Sequence, residues 1–290
     1  MTLHVLMLCT AIASSPVVFG QTPLPEASAP GMILPVWPEG KMPGHGANKP
    51  EAPVPPPAGG LVKAYFVSQP TLEVFKAPNT HGPSPAMIIS PGGAYELLSY
   101  KAEGTEIARW LNSIGITGIV LKYRVPGNRD GAFQDIQRAV RLTRLHAAEW
   151  GIQPDKVGVM GFSAGGHLSA RLSNHFNEPA YPAIDDADKL SCRPDFAVLV
   201  YPGYLGDTGT LAPDMTISAS TPKTLIVVTE DDSHVLGSKV YDAALKAAKV
   251  PEKLLLYPKG GHGYGLHSQQ DVKVWPTEAA EWLHTVGILQ

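Results

Sequence analysis

From residue 62 onward the chain alternates between short apolar runs and longer stretches whose apolar residues recur every three or four positions. Runs at 62–67, 72–75, 86–90, 116–123, 157–160, 196–201, 224–228 and 253–257 are short, rich in aliphatic and aromatic residues and bounded by turn formers, which is the pattern of buried strands. Between them, 102–114 places Ile107, Trp110, Leu111 and Ile114 on one helical face and stops at Gly115. Residues 132–150 carry Phe133, Ile136, Val140, Ala147 and Trp150 on another face, with Gly151 as the C-terminal cap. Further helices are expected from Gly165 to about Phe176, over 238–249 and over 277–285. Strands alternating with helices over this distance predict an α/β fold, a mostly parallel central sheet with helices on both faces. The loop between the strands at 196–201 and 224–228 is about twenty residues, too short for a large cap domain.

The first sixty residues follow different rules. Residues 1–20 hold no Asp, Glu, Lys or Arg, and the apolar run Val5 to Ala13 has the length of a signal-peptide core, too short to span a bilayer. They are read as an export signal, cleaved after Ala13 or Gly20, which predicts a secreted or periplasmic protein. Residues 21–60 contain eleven prolines and six glycines, a density read as excluding regular helix or sheet and as marking an extended arm. Residues 61–290 then form one catalytic domain. Loss of Cys9 with the signal leaves Cys192 alone, so no intrachain disulfide is expected.

Composition narrows the partners. With 23 Lys+Arg against 26 Asp+Glu the net charge is −3, and there is no cationic surplus for nucleic acid or for an anionic membrane surface. The histidines are scattered and no His/Cys/Asp group has ligand spacing, so neither metal nor other cofactor is expected.

Candidate chemistry centres on Gly161-Phe162-Ser163-Ala164-Gly165, a G-x-S-x-G match between an apolar strand and a helical stretch. Such a turn holds a serine in a strained backbone conformation, and the flanking glycines permit a backbone approach that a Cβ would block. A serine needs a histidine to take its proton and a carboxylate to orient that histidine. His262, in Lys259-Gly260-Gly261-His262-Gly263 just after the strand at 253–257, is preferred over His167, His234 and His267; His167 is read as a packing or helix-surface residue. The acid should follow the strand at 224–228, where Asp231 and Asp232 both stand, with Asp232 favoured and the other left to cap the loop or face solvent. Asp195 precedes its strand and is set aside. An oxyanion needs backbone N–H donors, one from Ala164 and one from Gly93 or Ala94 in Pro91-Gly92-Gly93-Ala94-Tyr95. Tyr95 is a candidate for lining the pocket or donating its hydroxyl to substrate, and equally for a packed loop aromatic.

Together PGGAY, EGTEIARWL, DIQRAVRLTRLHAAEWGI, PDKVGVMGFSAGGHLSA, EDDSHV and KGGHGYGL resemble the secreted bacterial α/β-hydrolases related to acetyl xylan esterases and feruloyl esterases, over roughly residues 60–288. That resemblance implies Ser163 as nucleophile, Asp232 as acid, His262 as base, and Gly93 or Ala94 with Ala164 as oxyanion donors. It also implies a serine esterase acting on a small acyl ester or an acylated polysaccharide such as acetylated xylan. An exported serine peptidase of the prolyl-oligopeptidase type is the alternative, weakened by the absence of sequence for a propeller domain. A non-catalytic carbohydrate-binding protein on the same scaffold is a third, weakened by the Ser, Asp, His order.

Overall fold

A computed structural model describes residues 32–53, 63–78 and 82–290. Its centre is an eight-stranded sheet: β1 (Met32–Pro35), β2 (Thr71–Phe75), β3 (Ser84–Ser90), β4 (Thr117–Lys122), β5 (Ile152–Phe162), β6 (Phe196–Val200), β7 (Lys223–Thr229) and β8 (Glu252–Tyr257), in spatial order β1-β2-β4-β3-β5-β6-β7-β8. The pairs from β4 through β8 are parallel, whereas β1, β2 and β4 pair antiparallel at one edge. This is the α/β-hydrolase arrangement that the alternation of strands and helices predicts.

The strands are apolar on both faces because both faces are covered. Ile88, Ile119, Val159, Leu199 and Ile226 pack beneath α2 (Arg129–Leu145), α3 (Ala164–His175) and α4 (Val235–Ala247). Their neighbours Ile89, Val120, Met160, Val200 and Val227 point the other way, beneath α1 (Glu106–Ser113) and α5 (Trp275–Thr285). One strand period thus feeds two cores.

Four elements depart from the sequence pattern. The helix expected over 132–150 is interrupted at His146, giving Arg129–Leu145 and a single turn Ala147–Trp150. The stretch at 62–67 contributes only Ala64–Tyr65, in a small antiparallel ladder with Ala52–Pro53 and Leu97–Leu98 outside the main sheet; Val62 lies outside the described residues. The helix expected over 102–114 opens with a π-helical turn, Lys101–Thr105, before α1. Within the proline-rich arm Met32–Pro35 forms β1, although the density of proline there predicts no regular sheet. An outer strand has one hydrogen-bonding partner, so a proline at its end removes no bond the sheet needs. The expected signal at 1–20 lies outside the described residues, and among those described no helix is long and apolar enough to cross a membrane.

Charged side chains staple the arm to α2. Trp37 donates its indole N–H to Asp135 at 2.7 Å and lies edge-on to Tyr181, with the Arg124 and Arg138 guanidinium groups against its ring. Arg138 also donates to the Val36 carbonyl at 3.1 Å, and Arg124 to that of Pro43 at 2.6 Å. Arg124 and Asp135 pair at 2.9 Å with side chains 1% and 0% exposed. Burial pushes the Asp135 carboxyl up, and the Arg124 guanidinium opposes it. Removing one member of such a pair leaves the other charge buried alone. Asp135→Ala is therefore expected to cost about 3–5 kcal/mol in urea unfolding, and a loss below about 1 kcal/mol would show that this pair does not hold the arm.

Candidate active site

Because β3, β5, β6, β7 and β8 run parallel, the loops leaving their C-terminal ends meet along one edge of the sheet. Ser163 follows β5 directly, Gly92 and Gly93 follow β3, Asp231 and Asp232 follow β7, and His262 follows β8.

Ser163 has φ +51° and ψ −116°, a conformation that L-residues avoid. It persists because the surroundings hold it: its N–H donates to the Val200 carbonyl at 3.1 Å, and its own carbonyl accepts from His167 and Gly203 at 3.1 Å each. A Cβ on Gly161 would overlap the Gly165 carbonyl, and one on Gly165 would overlap the Ser90 carbonyl. Strand and helix can meet at Ser163 only with hydrogen at both positions.

The Ser163 hydroxyl lies 2.8 Å from His262 Nε2, and His262 Nδ1 lies 2.8 Å from Asp232 Oδ2. Asp232 is buried and its other oxygen accepts the His234 N–H at 2.8 Å, whereas the His262 side chain is 33% exposed. A buried anion thus orients an imidazole whose far edge reaches the serine at the surface. Such a relay can move a proton from a hydroxyl to the imidazole and stabilise the imidazolium that results. Of the two aspartates left open above, Asp232 is the one against the ring. Asp231 ties the loop instead, accepting N–H bonds from Gly260 at 3.1 Å and Gly261 at 2.9 Å. The other histidines are engaged elsewhere. His267 meets Glu106 at 2.6 Å, His234 meets Asp207 at 2.8 Å, and His167 is buried within α3 with both ring nitrogens hydrogen-bonded, to Tyr95 and Asp214.

The glycine loop passes close against the serine, since a Cβ on Gly92 would come within 2.9 Å of the Ser163 Cβ. Gly93, Ala94 and Tyr95 all have positive φ, and the turn is closed by Gly93 O accepting from Glu96 and Leu97. Among the described residues no protein acceptor takes the N–H of Gly93 or Ala94. Ala164 is the first residue of α3, where N–H groups have no intrahelical acceptor.

Tyr95 is a correction. It is 2% exposed, and its hydroxyl bonds His167 Nδ1 at 2.8 Å, with His167 Nε2 passing on to Asp214 at 3.0 Å. Burial pushes its hydroxyl well above the ordinary tyrosine range. The phenol faces inward and supports the loop that was expected to present it to substrate, because the positive φ at Ala94 and Tyr95 turns the chain back on itself.

The sequence pattern singles out none of Tyr201, Tyr204 and Arg129 at this edge, and His234 only as a competing base. Tyr201 lies with its ring centroid 4.9 Å from that of His262, and His234 stands 5.2 Å from it on another side. Tyr204 packs near His234, and the exposed Arg129 guanidinium covers the Tyr204 and Tyr95 rings at 4.8 and 4.9 Å. No periodicity or motif links residues so distant in sequence. A cleft of about 590 Å³ beside Gly260 and Gly263 is lined by Lys101, Glu106, His267, Ser268, Gln269 and Gln270. Among the described residues no group of three or more His, Cys, Asp or Glu is placed to hold a metal ion.

Comparison with known proteins finds relatives of this arrangement. The family model described as BD-FAE matches residues 72–188. An acetylxylan esterase of Xylanibacter ruminicola is 32% identical over 226 residues, 66% of this chain and 45% of the relative. An endo-1,4-beta-xylanase B of Butyrivibrio fibrisolvens is 30% identical over 217 residues, 65% of this chain and 34% of the relative. The chain thus spans less than half the length of these curated relatives. The crystal structure of an acetyl ester-xyloside bifunctional hydrolase from Caldicellulosiruptor lactoaceticus matches with a TM-score of 0.72 at 30% identity, covering 90% of this chain and 98% of that one.

Two expectations follow from the loop geometry. Gly165→Ala forces a methyl group into the Ser90 carbonyl, so the folded yield should collapse; a well-folded variant with an unchanged near-UV circular dichroism spectrum would refute the close packing. The Gly261 N–H beside Asp231 holds its carboxyl below the usual carboxylate range. The tie is complete above the ordinary carboxylate pKa and is lost as pH falls through the lowered value. The Gly260 and Gly261 amide shifts should therefore titrate together at acid pH in the wild type and lose that titration in Asp231→Asn.

Proposed function

The chain belongs to the acetyl xylan esterase-like α/β-hydrolases, and we propose that it is a serine carboxylic-ester hydrolase that removes acetyl or similar groups from acylated plant polysaccharide, such as acetylated xylan. The observation that carries this reading is the pair of 2.8 Å hydrogen bonds joining Ser163 to His262 and His262 to Asp232.

In the mechanism, Ser163 Oγ attacks the ester carbonyl carbon while His262 Nε2 takes the hydroxyl proton. Asp232 holds Nδ1–H and balances the imidazolium charge. The carbonyl oxygen becomes an oxyanion and accepts N–H bonds from Ala164 and from Gly93 or Ala94. Collapse breaks the bond to the alcohol oxygen, which leaves with the proton from His262 and yields the acyl-enzyme. Water then attacks the acyl carbon, His262 takes its proton, and a second collapse returns that proton to Ser163 as the carboxylic acid departs.

Polysaccharide as carrier is supported by what surrounds the serine. Residues 201–222 add neither helix nor strand over the site, which leaves room for a bulky alcohol. A cleft that adjoins the His262 loop at Gly260 and Gly263, without being lined by Ser163 itself, offers amide, hydroxyl and charged groups suited to a hydroxyl-rich chain more than to a long acyl tail. The names of the relatives above point the same way. Export, carried by residues 1–20, would deliver the enzyme to such a polymer outside the cell.

Hydrolysis of p-nitrophenyl acetate, acetylated xylan and a proline peptide separates the readings. Wild type should deacetylate the first two, Ser163→Ala should lose on the order of 10⁶ in kcat, and Asp232→Asn should lose on the order of 10⁴. Asp231→Asn should fall far less. Activity retained in Ser163→Ala would sink the relay, activity on the peptide alone would select the peptidase, and cleavage of long-chain esters only would remove polysaccharide as the carrier.

A further inference from the structure

Glu103 plays no part in the relay, yet it is the buried carboxyl beside it. It sits in the π-helical turn Lys101–Thr105 and is 5% exposed. Isolated π turns recur at functional sites, where the extra residue re-aims a side chain. Here the turn brings Glu103 under the loops at the sheet edge. Its Oε2 accepts the Gly92 N–H at 2.7 Å, and its Oε1 accepts the Tyr201 hydroxyl at 2.8 Å. Tyr201 oxygen in turn accepts the Gly265 N–H at 3.1 Å, and the Trp275 indole N–H holds the Gly265 carbonyl at 2.9 Å. The Tyr201 ring packs against His262, and its backbone is strained at φ +37°. One carboxylate therefore touches the start of the glycine loop and, through one tyrosine, both the ring of His262 and the loop that carries it.

Burial raises the pKa of Glu103, and the bonds from Tyr201 and Gly92, with the nearby His262, oppose that rise. Tyr201 and Tyr123 are pushed upward in turn, first by burial and then by neighbours that include Glu103. A carboxyl in so dry a place is costly unless its bonds are needed. Both of its partners are donors, so the site requires an acceptor on each oxygen. An amide with its NH2 toward Gly92 meets a donor with a donor; in the other orientation its NH2 can donate to the Tyr201 oxygen, but the Tyr201 proton then loses the acceptor it has on Glu103.

We propose that Glu103 is a positioning residue for ester hydrolysis: its carboxylate fixes the glycine loop and the Tyr201–Gly265 support of His262 at one spacing, so that oxyanion donors and base stay aligned on the same substrate carbon. The inference rests on the serine relay proposed above and deepens it. The bonds that Glu103 controls matter most when charge develops on the substrate oxygen, so their loss falls on the chemical step more than on substrate binding.

The test is steady-state hydrolysis of p-nitrophenyl acetate by the full chain carrying Glu103→Gln, Tyr201→Phe or both, at a temperature where thermal melts show each variant folded. Glu103→Gln should lower kcat about 10- to 100-fold, the scale of a misplaced catalytic geometry, and leave KM within about threefold. Tyr201→Phe keeps the ring against His262 and removes only the hydroxyl, so it should lower kcat in the same sense; it carries the test alone if Glu103→Gln does not fold. The double variant should be no slower than Glu103→Gln, because the link is already broken. A folded Glu103→Gln with kcat within about twofold of wild type, a loss confined to KM, or fully additive losses would each overturn the proposal. Activity retained in Ser163→Ala would instead overturn the relay beneath it, so the two failures are distinct.

Discussion

The elbow at Ser163 is the constraint to which the other features of the site adapt. A side chain at φ +51° sits on the turn between β5 and α3, and the turn closes only because Gly161 and Gly165 have no Cβ to strike the Gly165 and Ser90 carbonyls. That contact with Ser90 also brings the end of β3 against the start of α3. The loop leaving β3 is thereby pressed beside the serine. Strain at one residue is maintained by the packing of three elements, as expected where a reactive group must be presented in one orientation.

Around that elbow the protein uses buried charge as fastening. Asp232 is buried behind His262 with both oxygens occupied, and Asp231, one residue earlier, is exposed and ties the neighbouring glycines. Adjacent carboxylates thus take different roles through burial and partner alone. Nearer β1, Arg124, Asp135 and Arg138 clamp Trp37 and the arm that contains that strand. Each fastening is directional where apolar packing is not: a hydrophobic core sets which face is inside, and hydrogen-bonded charges set which loop sits where.

The aromatic residues at the sheet edge join these fastenings. Tyr201 stands between Glu103 and His262, Tyr95 between the glycine loop and His167, and Tyr204 between Arg129 and His234. Each places an apolar ring in the packing and, for Tyr201 and Tyr95, a hydroxyl on a polar partner, which is how a tyrosine can be buried without an unsatisfied group. Tyr95 shows the consequence for prediction: its hydroxyl serves the fold, so it is unavailable to a substrate.

Most of the architecture was legible in the chain because it depends on local rules. Period two against period three to four separates strands from helices, and a G-x-S-x-G match between an apolar strand and a helical stretch points to an elbow. Chain order after parallel strands then directs attention to His262 and to the pair Asp231 and Asp232. The rest depended on distance. β1 was hidden by its prolines because an outer strand can lose a donor without losing the sheet, and that position is known only once the strand order is known. The choice of Asp232 over Asp231, the inward turn of Tyr95, and the bonds of Glu103 to residues 11 and 98 positions away are contacts between segments that the pattern of either segment does not encode. The sequence alone determined the parallel part of the sheet, the elbow and the kinds of groups available. Only the tertiary structure decided which group meets which, because a hydrogen bond is set by a few tenths of an ångström and an angle that exist only after the strands are side by side.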